Sequence, residues 1–282
     1  MLPTTSIRSH LLLVIGWMLL LGACTAPDLP ANVDDSTPAR ASSALATAVA
    51  DLPSVPGHTW KLTKRDDFDG TELDDAEWKV YDDPATNDVS RWSPDNVTVA
   101  DGELRITGRG RDPSGVRNEA GGLCWCGAGG NRTYGMWRVR ARLEPSLGYG
   151  QAFLLWPQSE RWPRDGELDF AEIPKPWKDE VVGMVHWGTR TSHERHGASH
   201  RADLTQWRTY TVVWRPDLVR FYLDDTLFYD SRSAERDIDI PDGPMHLALQ
   251  VEPGPLGRWV PSPGPETPEQ NITRIDWVEL YQ

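Results

Sequence analysis

Apolar and polar side chains alternate with a period of two along most of the chain after residue 60, a pattern typical of half-buried β-strands. Segment 137–143 alternates without a fault, with four apolar residues on one face and three arginines on the other. Further strands are predicted at short, even spacing, over 97–99, 104–106, 152–156, 181–187, 209–214, 219–223, 246–251 and 274–281. The dipeptide Asp101-Gly102 is typical of a tight hairpin turn. We therefore predict an all-β fold, an antiparallel β-sandwich of the jelly-roll type with a concave substrate groove.

The amino-terminal residues resemble an export signal. Arg8 and His10 precede an apolar run over 11–21, which is too short to span a bilayer but has the length of a signal-peptide core. The run ends in Leu-Gly-Ala-Cys24, which resembles a bacterial lipobox and implies that Cys24 is lipidated. The alternative is an ordinary secretory signal cleaved near Ala26. We expect a signal peptide over 1–24 and an exported lipoprotein on the cell surface.

Composition divides the remainder into a tether and one domain. Residues 25–56 are rich in Ala, Pro, Ser, Thr and Asp without hydrophobic periodicity, so we predict a disordered linker there. Residues 57–282 are long enough for one large β domain, which we expect to be monomeric. The net charge of -13 argues against a nucleic-acid partner, and membrane contact is expected through the lipid anchor only. Fourteen Trp against five Phe favour stacking on sugar rings, although packing also uses indoles.

Three carboxylates lie within six consecutive residues: Glu167, Asp169 and Glu172. In a regular strand the first two share a face and Glu172 points to the other. A β-bulge that absorbs Phe170 or Ala171 returns Glu172 to the shared face, and bulges recur beside active sites. Retaining glycosidases use two carboxylates about 5 to 5.5 Å apart, so this row is typical of that chemistry. The alternative is the solvent-facing side of an amphipathic strand.

The order Glu-(apolar)-Asp-(apolar)-(apolar)-Glu resembles the signature of the family 16 glycoside hydrolases. Other segments agree in the family's order from about Trp60 to the end, at 66–70, 101–104, 134–140, 156–157 and 276–281. The resemblance implies that Glu167 is the nucleophile, Asp169 its hydrogen-bonding assistant and Glu172 the acid/base. The spacing implies the bulged branch of laminarinases, agarases and carrageenases. We expect a retaining, endo-acting hydrolase of a β-linked polysaccharide, with β-1,3-glucan as the substrate.

Five further positions are predicted to bind substrate. The resemblance places His186 near the acids, where it tunes their protonation or binds sugar hydroxyls. Trp156, Trp162 and Trp187 lie on or beside the same two strands, and they are either sugar platforms or packing residues. Gln250 occupies a position where many relatives carry Asn, and we expect its side chain to contact substrate.

No cofactor is required for this chemistry, although the resemblance admits a structural calcium ion held by Asp276.

Cys124 and Cys126 are separated by one residue, and their oxidation state is open; we interpret them as part of a structural insertion. The segments 177–181 and 189–201 are predicted loops that shape substrate choice. The basic side chains of 189–201 either contact sulfate or uronate groups or belong to a solvated loop, which we favour.

Two other functions use the same residues. A non-catalytic carbohydrate-binding protein on the same jelly roll, as in lectins, would bind glycan without cleaving it. A transglycosylase would remodel a cell-surface glycan instead of degrading it. Intact acids in the family's order argue against the lectin.

Overall fold

The computed structural model describes residues 52–282, which form two β-sheets packed face to face. This confirms the predicted all-β sandwich. Over these residues the only helical elements are short 3-10 turns at Pro94–Asn96 and Ser231–Ser233, so none of the described helices has the length to cross a membrane. Cys24, the predicted signal peptide and most of the predicted linker lie outside the described residues.

The outer sheet has ten strands: β1 (Leu62–Asp66), β3 (Arg91–Trp92), β4 (Val97–Ala100), β5 (Glu103–Arg109), β6 (Glu119–Ala120), β8 (Gly135–Leu143), β13 (Arg208–Arg215), β14 (Leu218–Leu223), β15 (Thr226–Asp230) and β17 (Gln270–Tyr281). The inner sheet has seven: β2 (Lys79–Val80), β7 (Gly122–Trp125), β9 (Tyr149–Pro157), β10 (Glu167–Ile173), β11 (Glu180–Thr189), β12 (Ser192–Arg201) and β16 (Met245–Pro253). The inner strands follow the order β12-β11-β10-β9-β16-β7-β2. Neighbouring strands of the described chain run antiparallel except for the short β3–β6 pair.

The core fills the space between the sheets and follows the alternation of the sequence. On β8, Trp137, Val139 and Ala141 are fully buried. The arginines between them face outward, where Arg138 pairs with Glu279 of β17 at 3.1 Å. Each fully buried large apolar side chain stabilises the fold by about 1.5 to 3 kcal/mol. Burial of one face is therefore enough to fix the register of such a strand.

The predicted Asp-Gly hairpin is confirmed. Asp101 and Gly102 both have positive φ, 55° and 71°, and they connect Ala100 of β4 to Glu103 of β5. Two successive residues with positive φ match the right-handed twist of the flanking strands, which is why Asp-Gly is favoured at this turn.

The prediction of a loop over 189–201 is wrong. Ser192–Arg201 forms β12, which pairs along its whole length with β11 and is the edge strand of the inner sheet. Its side chains are largely polar on both faces, so the sequence shows no hydrophobic alternation there. Backbone pairing with β11 holds this strand in place, together with side-chain packing against β15, where His196 lies against Tyr229 and His200 against Phe228.

Ordered packing also begins earlier than the predicted boundary at residue 57. Val55 is 7% exposed and lies in a cluster with Met136, Val213 and Tyr281 of the outer sheet. A single apolar residue among Pro and Ser gives no periodicity, so the sequence pattern assigned it to the linker.

Candidate active site

A β-bulge in β10 places the three acids on one face of the inner sheet. Between the pairs that Asp169 and Glu172 make with β11, two residues, Phe170 and Ala171, stand opposite the single Gly183. The register of β10 against β9 shifts at the same point. Phe170 and Ala171 are fully buried in the core, so Glu172 turns to the opposite face, away from the core. The bulge predicted from the spacing is confirmed.

The three acids line one cavity on this face, which we call the acid cavity. Glu167 and Asp169 are only 2% and 3% exposed, whereas Glu172 is partly exposed. The residues lining the acid cavity are Thr86, Ala152, Leu154, Glu167, Asp169, Glu172, His186, Gln250, Glu252, Leu256 and Trp259. They come from β9, β10, β11, β16 and two flanking loops.

Glu167 receives a hydrogen bond from an indole. Trp162 Nε1 donates to Glu167 Oε2 at 2.6 Å. The intervening turn is closed by Gly166, whose φ of 81° and close approach to Pro241 exclude a side chain. Burial and the charge of Asp169 raise the pKa of Glu167 well above its usual range, while the Trp162 hydrogen bond opposes this shift. The indole therefore stabilises the ionised form of this carboxyl.

Asp169 and His186 are neighbours within the acid cavity. His186 Nε2 lies 3.1 Å from Asp169 Oδ2, and His186 Nδ1 lies 2.7 Å from Nε2 of His193 on β12. Burial raises the pKa of Asp169 to about 7 and lowers the pKa of His193 to about 4. His193 is therefore neutral near pH 7. His186 lies beside the acids, as the resemblance implied. His193 was not predicted, because its segment was interpreted as a loop.

Glu172 has a different environment from Glu167. Over residues 52–282 no group donates a hydrogen bond to its carboxyl. Burial and the charge of Asp169 raise the pKa of Glu172 well above its usual range, while the charges of His186 and Arg195 oppose this shift. Glu172 thus favours the protonated state, whereas Glu167 has a donor for its charge.

Two indoles flank the apolar part of the cavity floor. Trp156 and Trp259 are partly buried and pack against the small cluster of Ala152, Leu154 and Ala248. Trp156 also donates a hydrogen bond to Glu160 at 2.8 Å. Sequence reasoning missed Trp259, because it lies in the loop after β16, where no strand pattern marks its orientation.

Trp162 lies over the acids, but Trp187 does not. Trp187 follows His186 on β11 and points to the opposite face, where it is 8% exposed within the core cluster. Its ring is covered by the Arg236 guanidinium at 4.9 Å and borders a separate cavity of about 620 Å³ at the end of the inner sheet. The sugar-platform interpretation of Trp187 is therefore replaced by the packing interpretation.

Gln250 lies in the acid cavity together with a fourth carboxylate. Its side chain is 6% exposed, and its Nε2 donates to Glu252 Oε1 at 2.6 Å. Sequence reasoning missed Glu252, although the period of two in β16 places it on the same face as Gln250. Burial raises the pKa of Glu252 to about 7.

The other candidate positions lie away from the three acids. Cys124 and Cys126 form a disulfide bond in β7 and the turn after it. This answers the question that the sequence left open. Asp276 lies 3.2 Å from Arg140 Nε on the outer sheet. A guanidinium at that distance competes with a cation, so Asp276 does not fit a calcium site as arranged.

The chain is similar in sequence to known proteins of one family. Residues 87–279 match the model described as glycosyl hydrolases family 16. The chain belongs to this family. It is 28% identical over 251 residues to a beta-glucanase of Rhodothermus marinus, covering 79% of this chain and 85% of that protein. It is 24% identical over 267 residues to glucan endo-1,3-beta-glucosidase A1 of Niallia circulans, covering 82% of this chain but 39% of that protein.

The fold of this glycoside hydrolase is similar to that of solved family members. The X-ray structure of the laminarinase from Rhodothermus marinus superimposes with a TM-score of 0.66 at 26% identity, covering 79% of this chain and 98% of that one. The predicted jelly roll and the resemblance to family 16 are thus confirmed.

Proposed function

We propose that the protein is a retaining, endo-acting hydrolase of a β-linked polysaccharide, and that β-1,3-glucan is its substrate. The observation that carries this proposal is the bulge of β10. Because of this bulge, the side chains of Glu167, Asp169 and Glu172 all line the acid cavity. The names of the relatives, a beta-glucanase and a glucan endo-1,3-beta-glucosidase, favour a glucan.

The environments of the acids support a division of roles. Glu167 acts as the nucleophile, because the Trp162 indole stabilises its charge at 2.6 Å. Glu172 acts as the acid/base, because burial of its carboxyl and the charge of Asp169 raise its pKa and no described group donates a hydrogen bond to its ionised form. Asp169 shares a hydrogen bond with Glu167, and its Oδ2 lies 3.1 Å from His186 Nε2. Two carboxyls whose environments favour different protonation states are the arrangement that this reaction needs.

The reaction then proceeds by two displacements. Glu167 attacks the anomeric carbon while the proton of Glu172 passes to the glycosidic oxygen, so the leaving sugar departs with a hydroxyl and a glycosyl ester forms on Glu167. A water molecule then attacks the same carbon, its proton returns to Glu172, and the ester bond breaks to regenerate the Glu167 carboxylate. Trp156, Trp162 and Trp259 offer faces for sugar rings on either side.

Borohydride-reduced laminarin tests the proposal. The wild-type protein should release new reducing ends, and Glu167→Gln should lose nearly all activity while remaining folded by circular dichroism. Azide should restore turnover to Glu167→Gly by taking the place of the missing nucleophile. Binding without new reducing ends would instead identify a lectin, and longer products would identify a transglycosylase.

We further propose that the protein is exported as a monomeric lipoprotein anchored to the membrane through Cys24. The lipobox-like residues before Cys24 support this, and they lie outside the described residues. Mass spectrometry of the mature amino terminus, together with membrane fractionation of Cys24→Ser, tests the anchor. Size-exclusion chromatography with light scattering tests the monomer.

A further inference from the structure

The face of the inner sheet that carries the acids continues beyond the acid cavity, across β11 to the edge strand β12. Glu167 pairs with His186 of β11, and His186 pairs in turn with Arg195 of β12. Directly opposite residues of antiparallel strands share a face, so Arg195 lies on the face of the acids, two strand spacings or about 10 Å from β10. The residues of β11 and β12 that form this part of the face, which we call the edge strip, are Val182, Met184, Arg195, Gly197 and Ser199.

Arg195 is a partly buried cation without an anionic partner. Over residues 52–282 its guanidinium forms no hydrogen bond and no ion pair. By contrast, Arg201 at the end of the same strand lies 3.9 Å from Asp179, and Glu194 on the other face of β12 pairs with Arg236 at 2.6 Å. The guanidinium nitrogens of Arg195 are not fully buried, so a ligand can reach them. A partly buried charge without a partner destabilises a fold and calls for an explanation.

The proposed acid/base does not account for Arg195. The positive charge of Arg195 opposes the rise in the pKa of Glu172 and so favours the ionised carboxyl. In the first displacement Glu172 must give up a proton, so a lone cation beside it works against that role. An anion bound to Arg195 cancels this effect. The arrangement therefore favours a negatively charged group on the edge strip.

The chemistry of the edge strip matches a sugar unit that carries an acidic group. Val182 and Met184 have partly exposed apolar side chains, against which the face of a sugar ring can pack. The guanidinium of Arg195 offers several N–H donors in a planar fork, and this fork matches the oxygens of a carboxylate or a sulfate ester. A neutral hydroxyl supplies no charge to pair with the guanidinium.

We propose that Arg195 and the edge strip bind an acidic sugar unit of the polysaccharide on the β12 side of the scissile bond, with the guanidinium donating hydrogen bonds to a carboxylate or sulfate group. The inference rests on the proposed function and deepens it, because it adds an acidic substituent to the β-linked substrate. Arg195 binds substrate, while the displacements belong to Glu167 and Glu172.

The test measures kcat/KM on three forms of laminarin: neutral, partly oxidised to carboxylates at its primary hydroxyls, and partly sulfated. The quantity compared is the ratio of kcat/KM on each charged form to kcat/KM on the neutral form. Arg195→Gln should lower this ratio about tenfold for one or both charged forms, because charge-assisted hydrogen bonds are lost. The two charged forms distinguish a carboxylate from a sulfate as the group that is bound.

The matched control is Arg201→Gln. It removes the same charge from the same face of β12, six residues along the strand, where Arg201 has Asp179 as its partner. Its ratio should equal that of wild type. An equal loss in both variants would mean that the overall charge of the protein attracts the substrate, and it overturns the inference.

The remaining outcomes separate this inference from the function on which it rests. A wild type that cleaves only neutral laminarin, or whose ratio is unchanged by Arg195→Gln, overturns the inference alone. A wild type that releases no reducing ends from any form overturns the proposed function and the inference together. Should Arg195→Gln fail to fold, Arg195→Lys supplies the second measurement, because it keeps the charge but not the planar fork. Its ratio should fall about threefold, and an unchanged ratio overturns the inference.

Discussion

Replacing Trp162 with Phe tests how the ionised nucleophile is stabilised. The substitution keeps an aromatic ring but removes the Nε1 donor that lies 2.6 Å from Glu167 Oε2. A hydrogen bond to a charged group contributes about 1.5 to 3 kcal/mol, and about 1.4 kcal/mol corresponds to one pH unit. Loss of the donor favours the protonated form, so the acidic limb of the kcat/KM profile should move to higher pH by about 1 to 2 units.

The assay is the pH dependence of kcat/KM on laminarin, measured for wild type and Trp162→Phe. Trp156→Phe is the matched control, because the donor it loses serves Glu160 outside the acid cavity, and its acidic limb should stay in place. The limb reports the ionisation of the coupled carboxyls as a group, so the comparison uses its displacement. A limb that does not move in folded Trp162→Phe, or that moves to lower pH, refutes the reasoning.

Three other predictions follow from the same structure. Burial raises the pKa of Glu252 from 4.5 to about 7 in the folded state, so its contribution to stability is full below pH 4.5 and is lost as the pH rises through about 7. In urea titrations, the free energy of unfolding of wild type should therefore fall by about 3 kcal/mol more than that of Glu252→Gln between pH 4.5 and pH 8. An equal pH dependence of the two proteins would contradict this. Trp187→Ala should lower the free energy of unfolding by about 3 to 5 kcal/mol, because its ring packs in the core. Trp259→Ala should mainly raise KM, by about two- to tenfold, because its ring lines the acid cavity. The reverse result would show that Trp187, and not Trp259, contacts substrate. Gly183 lies opposite the bulge, and Gly183→Ala places a methyl group against the Phe221 ring. The free energy of unfolding should fall by about 1 to 3 kcal/mol in thermal or chemical unfolding. An unchanged stability would show that the sheet accepts a side chain at this position.

The strands that were predicted correctly share one property. Each, like β8, buries one face and exposes the other, or is buried on both faces between turn residues, so local composition reveals it. Strand β12 has polar side chains on both faces and was missed for that reason. His193 was missed with it, although it lies 2.7 Å from His186. The identity of an edge strand depends on the neighbour with which it pairs, and a single segment does not contain that information.

The acids were found because their spacing conflicts with a regular strand. Only a bulge reconciles Glu172 with Glu167 on one face, so the sequence itself pointed to the irregularity that the structure contains. Trp187 was predicted to be either a sugar platform or a packing residue, although it directly follows His186, which the resemblance placed near the acids. The alternation of β11 puts the two on opposite sides.

What the sequence determined by itself was therefore local: the period of two, the Asp-Gly turn, the row of carboxylates and the family that these residues resemble. Only the tertiary structure decided which strands are neighbours in the inner sheet. That order places Glu252 and Gln250 of β16 beside acids from β10 with β9 between them. The physical reason is that backbone hydrogen bonds between strands carry little sequence specificity, so the order of strands is set by packing of the whole sandwich rather than by any one segment.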